Sequence, residues 1–193
     1  FFFKQKTAYE IVDCDWSSDV CSSDLGKADL IEHIAKGSKP RERWRIGTEH
    51  EKFAFRTSDL RPLPYDGDEG VSAVLEGLAE RYGWRPVREN GNVIALKFGE
   101  QAVTIEPGGQ IELGGTPLKT IHDTCVEVNT HLRQIKEVAE DLGVAFLGAG
   151  FNPKWKLADI PVMPKQRYRI MREYMPTRDR KSTRLNSSHS QQS

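Results

Sequence analysis

Arg45-Ile46-Gly47-Thr48-Glu49-His50-Glu51-Lys52-Phe53-Ala54-Phe55 is the stretch on which the reading of this chain turns. β-Branched and aromatic residues recur and no proline interrupts, which predicts a strand over 45–55. Alternate side chains of a strand share a face, so Gly47, Glu49, Glu51, Phe53 and Phe55 point one way. Two like charges one pleat apart repel, and burial makes ionisation costlier still. A divalent cation would offset both effects, and Mg²⁺ takes hard oxygen ligands and bridges to substrate phosphate. The plain alternative is a strand at a sheet edge with both acids in water, and a lone Glu-x-Glu does not separate the two.

A second acidic element bears on that choice. Thr104-Ile105-Glu106-Pro107-Gly108-Gly109-Gln110-Ile111-Glu112-Leu113 alternates in the same way. Thr104 and Glu106 share one parity. Past the Pro-Gly-Gly break, Gln110 and Glu112 share a face, opposite Ile111 and Leu113. The two glycines let the backbone bend and let a ligand approach, or make an ordinary turn. Parity across the break stays open, because a bulge can shift it.

The segments between are read from period and punctuation. Lys27–Lys36 is a short amphipathic helix stopped by Gly37, and residues 38–43 are a basic linker. Residues 57–70 are loop. Val71, Val74, Leu75, Leu78 and Tyr82 mark a helix closed by Gly83. Trp84–Arg88 and Val93–Phe98 are strands joined at Asn90-Gly91, a two-residue hairpin turn. Ala102–Glu106 follows as the next antiparallel strand. Thr116-Pro117 opens the longest helix, roughly 40 Å at about 1.5 Å per residue. Its stripe is Leu118, Ile121, Cys125, Val128, Leu132, Ile135, Ala139 and Leu142, which places Cys125 in the core and leaves His122 and His131 exposed. Val144–Phe151 is a buried strand. Residues 152–164 are loop, and Gln166–Tyr174 is a helix carrying Arg167, Arg169 and Arg172. The whole predicts an α+β fold, an antiparallel sheet covered by helices.

Composition narrows the function. The 193 residues carry 28 Lys+Arg and 28 Asp+Glu, a net charge of +0. That excludes a nucleic-acid or membrane-surface role driven by bulk charge. No apolar run is long enough to span a bilayer. The 37% hydrophobic content is low for a compact domain, so part of the chain is expected to lie outside the fold. The cysteines Cys14, Cys21 and Cys125 are odd in number and irregular in spacing, which is not a disulfide framework. A reducing, cytoplasmic setting is the expectation. His50-Glu51 lacks the second histidine of a zinc protease, and neither a phosphate loop nor a nucleophile elbow is present. Four glutamates, Glu49, Glu51, Glu106 and Glu112, remain with Gln110 on two strands. An oxygen-only donor set points to Mg²⁺ or Mn²⁺ and to a nucleoside triphosphate as the anion they hold.

The ends read differently. Residues 1–25 contain two near-copies, Trp16-Ser17-Ser18-Asp19-Val20 and Cys21-Ser22-Ser23-Asp24-Leu25, without helical or strand period. They resemble a translated sequencing adapter, as do residues 179–193. Both are expected to be unfolded artefact flanking a natural segment, 26–178.

Ile46-Gly47-Thr48-Glu49-His50-Glu51-Lys52-Phe53, Ile105-Glu106-Pro107-Gly108-Gly109-Gln110-Ile111-Glu112-Leu113 and Met163-Pro164-Lys165-Gln166-Arg167-Tyr168 together resemble glutamate–cysteine ligase of the type shared by plants and some bacteria. His122–Asn129 and Gly150–Trp155 fit the same family. The resemblance runs from about residue 27 to residue 178. It implies a fold related to glutamine synthetase, of which 26–178 is the N-terminal part of the catalytic domain. It implies ATP-dependent joining of L-glutamate to L-cysteine through an acyl phosphate, the first step of glutathione synthesis. By this likeness Glu49, Glu51, Glu106 and Glu112 are Mg²⁺ or Mn²⁺ ligands with Gln110 beside them. Arg167, and after it Arg172, meet substrate carboxylate or phosphate. A plastid becomes an alternative compartment if the source is a plant. Family members are much longer, so this polypeptide alone is expected to be inactive. A related ligase with another amine acceptor, or a non-catalytic Mg²⁺/ATP-binding module, stays open.

Overall fold

The computed structural model describes residues 26–178. The readings placed on residues 1–25 and 179–193, with Cys14 and Cys21 among them, lie outside the described residues. The chain divides between Trp44 and Arg45 into two units. In the first, helix α1 (Lys27–Lys36) begins where the Gly26 N–H donates to Asp29 Oδ2 at 2.7 Å. None of its residues is buried, and Leu30, Ile31 and Ile34 are all exposed. The linker after it holds one 3₁₀ turn, Arg41–Arg43.

The second unit holds the sheet. β1 (Glu49–Arg56) is followed by α2 (Val71–Tyr82), β2 (Arg85–Glu89), β3 (Asn92–Phe98), β4 (Gln101–Ile105), β5 (Ile111–Gly114), α3 (Ile121–Leu142), β6 (Val144–Leu147) and α4 (Gln166–Arg178). The strand order is β2-β3-β4-β5-β1-β6, with every neighbouring pair antiparallel. The expected α+β architecture is therefore present. Asn90 and Gly91 both take positive φ, 50° and 85°, as a turn whose twist matches the β2–β3 hairpin requires.

One face of the sheet is apolar. Leu96, Val103, Ile105, Ile111 and Leu113 are all 0% exposed there. They pack with Val71, Val74, Leu75 and Leu78 of α2 and Ile135, Val138 and Ala139 of α3 in one core. Each such side chain contributes about 1.5–3 kcal/mol by burial. Gly77 lets the two helices approach, since a Cβ there would lie 2.7 Å from Val138 Cγ1.

Four expectations are corrected. The first strand starts at Glu49, not Arg45. Upstream of it, Ile46 makes an isolated bridge to Leu118. That bridge also explains the late start of α3. Residues 115–118 are extended, with Gly115 N–H donating to Thr48 O at 2.7 Å and Leu118 N–H to Ile46 O at 2.8 Å. The helix begins only at Thr120, whose Oγ1 accepts from Asp123 N while Asp123 Oδ2 accepts from Thr120 N. Third, the phase of α3 differs from the predicted stripe. Thr124, Glu127 and His131 are buried, whereas Cys125 is exposed and Ile121 is 57% exposed. Glu127 is drawn inward because Oε1 accepts from Gln101 Nε2 and from Thr116 N, each at 2.8 Å. Last, β6 stops at Leu147, because Gly148-Ala149-Gly150 offers little side chain to pack on a sheet edge.

Candidate active site

The other face of the sheet carries the acids. Register places Glu51 opposite Glu112 across β1–β5, and Thr104 opposite Glu112 across β4–β5. Glu49 lies one pleat along, opposite Gly114. Glu49, Glu51, Glu112 and Thr104 thus line one face, while His50, Lys52, Ile111 and Leu113 point to the other. Directly opposed side chains have Cβ atoms about 4.5–5.5 Å apart, and like charges so placed are destabilising.

The turn between β4 and β5 completes the row. Gly108 and Gly109 take φ of 78° and 82°, which only glycine adopts without strain. Glu106 N donates to Gln110 O at 2.8 Å and closes the loop. Both residues are buried, and both continue the parity of the acidic face. Glu106 Oε1 accepts from Thr104 Oγ1 at 3.2 Å. Gln110 Nε2 lies 3.5 Å from Glu51 Oε2, at the limit of a hydrogen bond. Gln110 Oε1 is buried without a partner.

The electrostatics follow from this crowding. Burial, and then the charges of Glu106, Glu49 and Glu51, push the Glu112 carboxyl up to about 7. Lys52 sits behind the row, fully buried, and donates to His50 O at 2.9 Å. Burial brings its ammonium down to about 8, against the opposing pull of Glu112 and Glu51.

Glu106 differs from the other three glutamates. Arg167 Nη2 reaches both of its oxygens, at 3.3 and 3.2 Å. Tyr168 Oη donates within 3.3 Å of Oε2, and Lys165 Nζ lies 3.9 Å from Oε1. Lys165 and Tyr168 also share the carbonyl of Ile105, at 2.5 and 3.0 Å. Burial lowers Lys165 to about 8 and raises the Tyr168 phenol. Protein cations therefore already compensate Glu106. Arg172 is exposed, and among the described residues no hydrogen bond or ion pair joins it to the row.

Among the described residues, no three His, Cys, Asp or Glu side chains close around a single point as a finished ion site. The arrangement is an open row of oxygens. A hard cation fits it where substrate oxygens supply the remaining ligands, and the orphaned Gln110 Oε1 is an acceptor already turned away from solvent. Lys52, Thr104, Lys165 and Tyr168 carry no signal of a site role in the sequence pattern. Parity alone puts Lys52 on the face opposite Glu51. The reach of Lys165 and Tyr168 to Ile105 spans about sixty residues and leaves no local trace.

The motif Gly150–Trp155 is a brace. Asn152 Oδ1 accepts from Lys154 N and Trp155 N, and Trp155 Nε1 donates to Leu60 O at 2.8 Å. The Trp155 ring meets Phe53 of β1 edge-on at 5.8 Å.

Residues 45–192 match the family described as glutamate-cysteine ligase family 2. The chain belongs to that family. The match takes in both acidic segments and the Met163–Tyr168 motif. Glutamate–cysteine ligases of plants are similar to it. The chloroplastic protein of Nicotiana tabacum is 56% identical over 157 residues, 81% of this chain and 30% of its own length. Ligase A of Oryza sativa subsp. japonica, also chloroplastic, is 57% identical over 152 residues, 79% of this chain and 30% of its own. The Arabidopsis thaliana protein is 53% identical over 157 residues. The chain thus spans about 30% of the length of the curated relatives it matches.

Proposed function

We propose that the whole protein joins the side-chain carboxylate of L-glutamate to the amine of L-cysteine, using ATP. The names of relatives at 53–57% identity support the pair of substrates. In this reading ATP phosphorylates the glutamate carboxylate, the cysteine amine attacks the acyl carbon, and phosphate leaves. Mg²⁺, when bound, neutralises phosphate charge during the transfer. Glu49, Glu51 and Glu112 would hold it, with Gln110 Oε1 as a neutral oxygen beside them. Glu106 has a different part. It fixes Arg167, leaving a half-exposed guanidinium to meet a substrate carboxylate or phosphate. Arg172 would act further out on the same helix. The compartment in this reading is the cytoplasm, or the plastid named for the tobacco and rice relatives. No described helix is long and apolar enough to cross a membrane.

One observation carries the proposal: strand register turns Glu49, Glu51 and Glu112 to a single face, beside a buried acceptor without a partner. Water-proton relaxation with Mn²⁺ tests it without any turnover. Mn²⁺ should bind the chain saturably, ATP should tighten that binding, and Glu112→Gln should weaken it by at least roughly tenfold. Mn²⁺ affinity unchanged from the unsubstituted chain in both Glu51→Gln and Glu112→Gln variants would remove the acidic row from the site.

A further inference from the structure

Lys52 is a buried cation that packing alone does not explain. It is 1% exposed, and register sets it opposite Ile111, on the face of the sheet that the helices cover. Its Nζ donates to His50 O at 2.9 Å and lies 3.2 Å from His50 Nδ1. Neither partner carries charge at pH 7, since burial and then Lys52 itself hold the His50 imidazole below its ordinary value. Among the described residues no carboxylate forms an ion pair with Lys52. The other lysine buried among them, Lys165, has Glu106 Oε1 at 3.9 Å. An ammonium taken out of water without a carboxylate beside it is costly, and an apolar side chain of similar volume often serves a core as well or better. The charge itself therefore needs a physical reason.

The opposite charges that reach it lie one strand thickness away. Lys52 follows Glu51 in β1, and Glu112 stands across from Glu51. The ammonium and the acidic row thus face away from each other through a single layer of backbone. Burial lowers the ammonium to about 8, and Glu112 and then Glu51 oppose that fall, so it is largely protonated at pH 7. A buried charge is screened by salt far less than a surface one. Lys52 cannot touch a ligand held in the row, because the sheet lies between. It can only set the charge that the ligand meets. Glu49, Glu51 and Glu112 supply negative charge, and Lys52 subtracts one unit from it. That subtraction acts with opposite sign on two visitors. A bare divalent cation is repelled. The same cation carried on a nucleoside triphosphate brings a net negative charge, and is attracted.

We propose that Lys52 is a specificity-determining residue of the acidic row: it disfavours a bare divalent cation and favours that cation bound to a nucleoside triphosphate. The inference rests on Glu49, Glu51 and Glu112 holding the metal, as proposed above. Removing the charge also favours a proton that competes for Glu112. A divalent ion in the same place gains about twice as much, so the metal wins the exchange.

Mn²⁺ binding at pH 7, followed by water-proton relaxation with and without ATP, tests this on the full 193-residue chain. Lys52→Met removes the charge and keeps an apolar stem in the core. Lys52→Gln also keeps a donor for the His50 carbonyl. Both should bind Mn²⁺ alone at least roughly threefold more tightly than the unsubstituted chain, and the tightening by ATP should shrink by at least roughly the same factor. Damage to the fold would weaken Mn²⁺ binding, so a gain cannot come from it. Lys52→Arg keeps the charge and should bind like the unsubstituted chain. Lys136→Met is the control: it removes a charge from a 75% exposed lysine of α3 and should change neither quantity. Unchanged or weaker binding of Mn²⁺ in a folded neutral variant, an undiminished effect of ATP, an equal gain in Lys136→Met, or failure of both neutral variants to fold would each overturn the proposal. Mn²⁺ binding that Glu112→Gln weakens and Lys52→Met leaves unchanged would overturn this proposal alone. Absence of Mn²⁺ binding from every one of these chains would overturn the acidic row as a metal site, and the role of Lys52 with it.

Discussion

The two faces of the sheet are built from alternate residues of the same strands, yet they satisfy opposite rules. On β5, Glu112 and Leu113 are chain neighbours. Leu113 is 0% exposed among the aliphatic side chains under α2 and α3, while Glu112 faces three other carboxylates across an open row. The apolar face packs with the helices into one core. The acidic face is crowded with like charge, and among the described residues the ion pairs there are those of Glu106, with Arg167 and Lys165. A fold that keeps such a row accepts a local cost that a bound cation would relieve. One face thus reports stability, and the other, in the function proposed above, would report the cation held there.

The largest expected effect contrasts those two neighbours. Leu113→Ala opens a cavity in the core and should lower stability by about 2–5 kcal/mol in a denaturant titration. A loss under 1 kcal/mol would mean that the sheet is not clamped by its helices as described. The next effect lies in pH. His131 is held neutral at about 3 in the fold, whereas an unfolded histidine titrates near 6.5. Its folded value is depressed, so the unfolded chain takes up the proton first. Stability from this group is full above pH 6.5 and falls with acidification toward 3, by about 2–3 kcal/mol between pH 7 and 4.5. Glu112 behaves oppositely. Its folded value is raised to about 7 from 4.5, so it stabilises most below 4.5 and loses that contribution as pH rises through 7. His131→Gln should therefore flatten the acid-side loss, and Glu112→Gln should steepen it. A pair of variants with the same slope between pH 4.5 and 7 would sink the distinction between the faces. At pH 8 without metal, Glu112→Gln should raise stability by about 1 kcal/mol, a figure reduced for partial solvent screening.

The sequence made one face far more legible than the other. Alternation puts Glu49 with Glu51 on β1 and Gln110 with Glu112 at the start of β5, because strand parity is local; that the two pairs share a side is decided by the register Glu51↔Glu112, which alternation within either strand does not contain. Helix α2 is legible to its last residue, because Gly83 takes the left-handed conformation that stops it. The start and the phase of helix α3 are not legible in the same way. Its start depends on residues 115–118 continuing against β1, and its phase on hydrogen bonds from Gln101 and Thr116 to Glu127. Those partners are remote in sequence, and a hydropathy stripe does not contain them. The same holds for Lys165 and Tyr168, whose burial is set by a carbonyl at Ile105.

The smallest expected effect isolates that error of phase. If the hydropathy stripe governed α3, Cys125 would be packed against the sheet, and replacing its thiol by a hydroxyl would bury an unsatisfied polar group. The structure instead leaves Cys125 exposed and turns Thr124 inward, where its Oγ1 donates to Thr120 O at 3.2 Å. Cys125→Ser should then change stability by no more than about 0.5 kcal/mol, the range of ordinary surface substitutions. In the native protein an alkylating reagent should modify the Cys125 thiol without prior unfolding, as peptide mass spectrometry would show. Thr124→Cys, at the neighbouring buried position, should resist the same reagent until denaturant is added. Protection of Cys125 together with ready modification at position 124 would rotate the helix by one residue, returning the stripe to the core and taking Glu127 and His131 out of it.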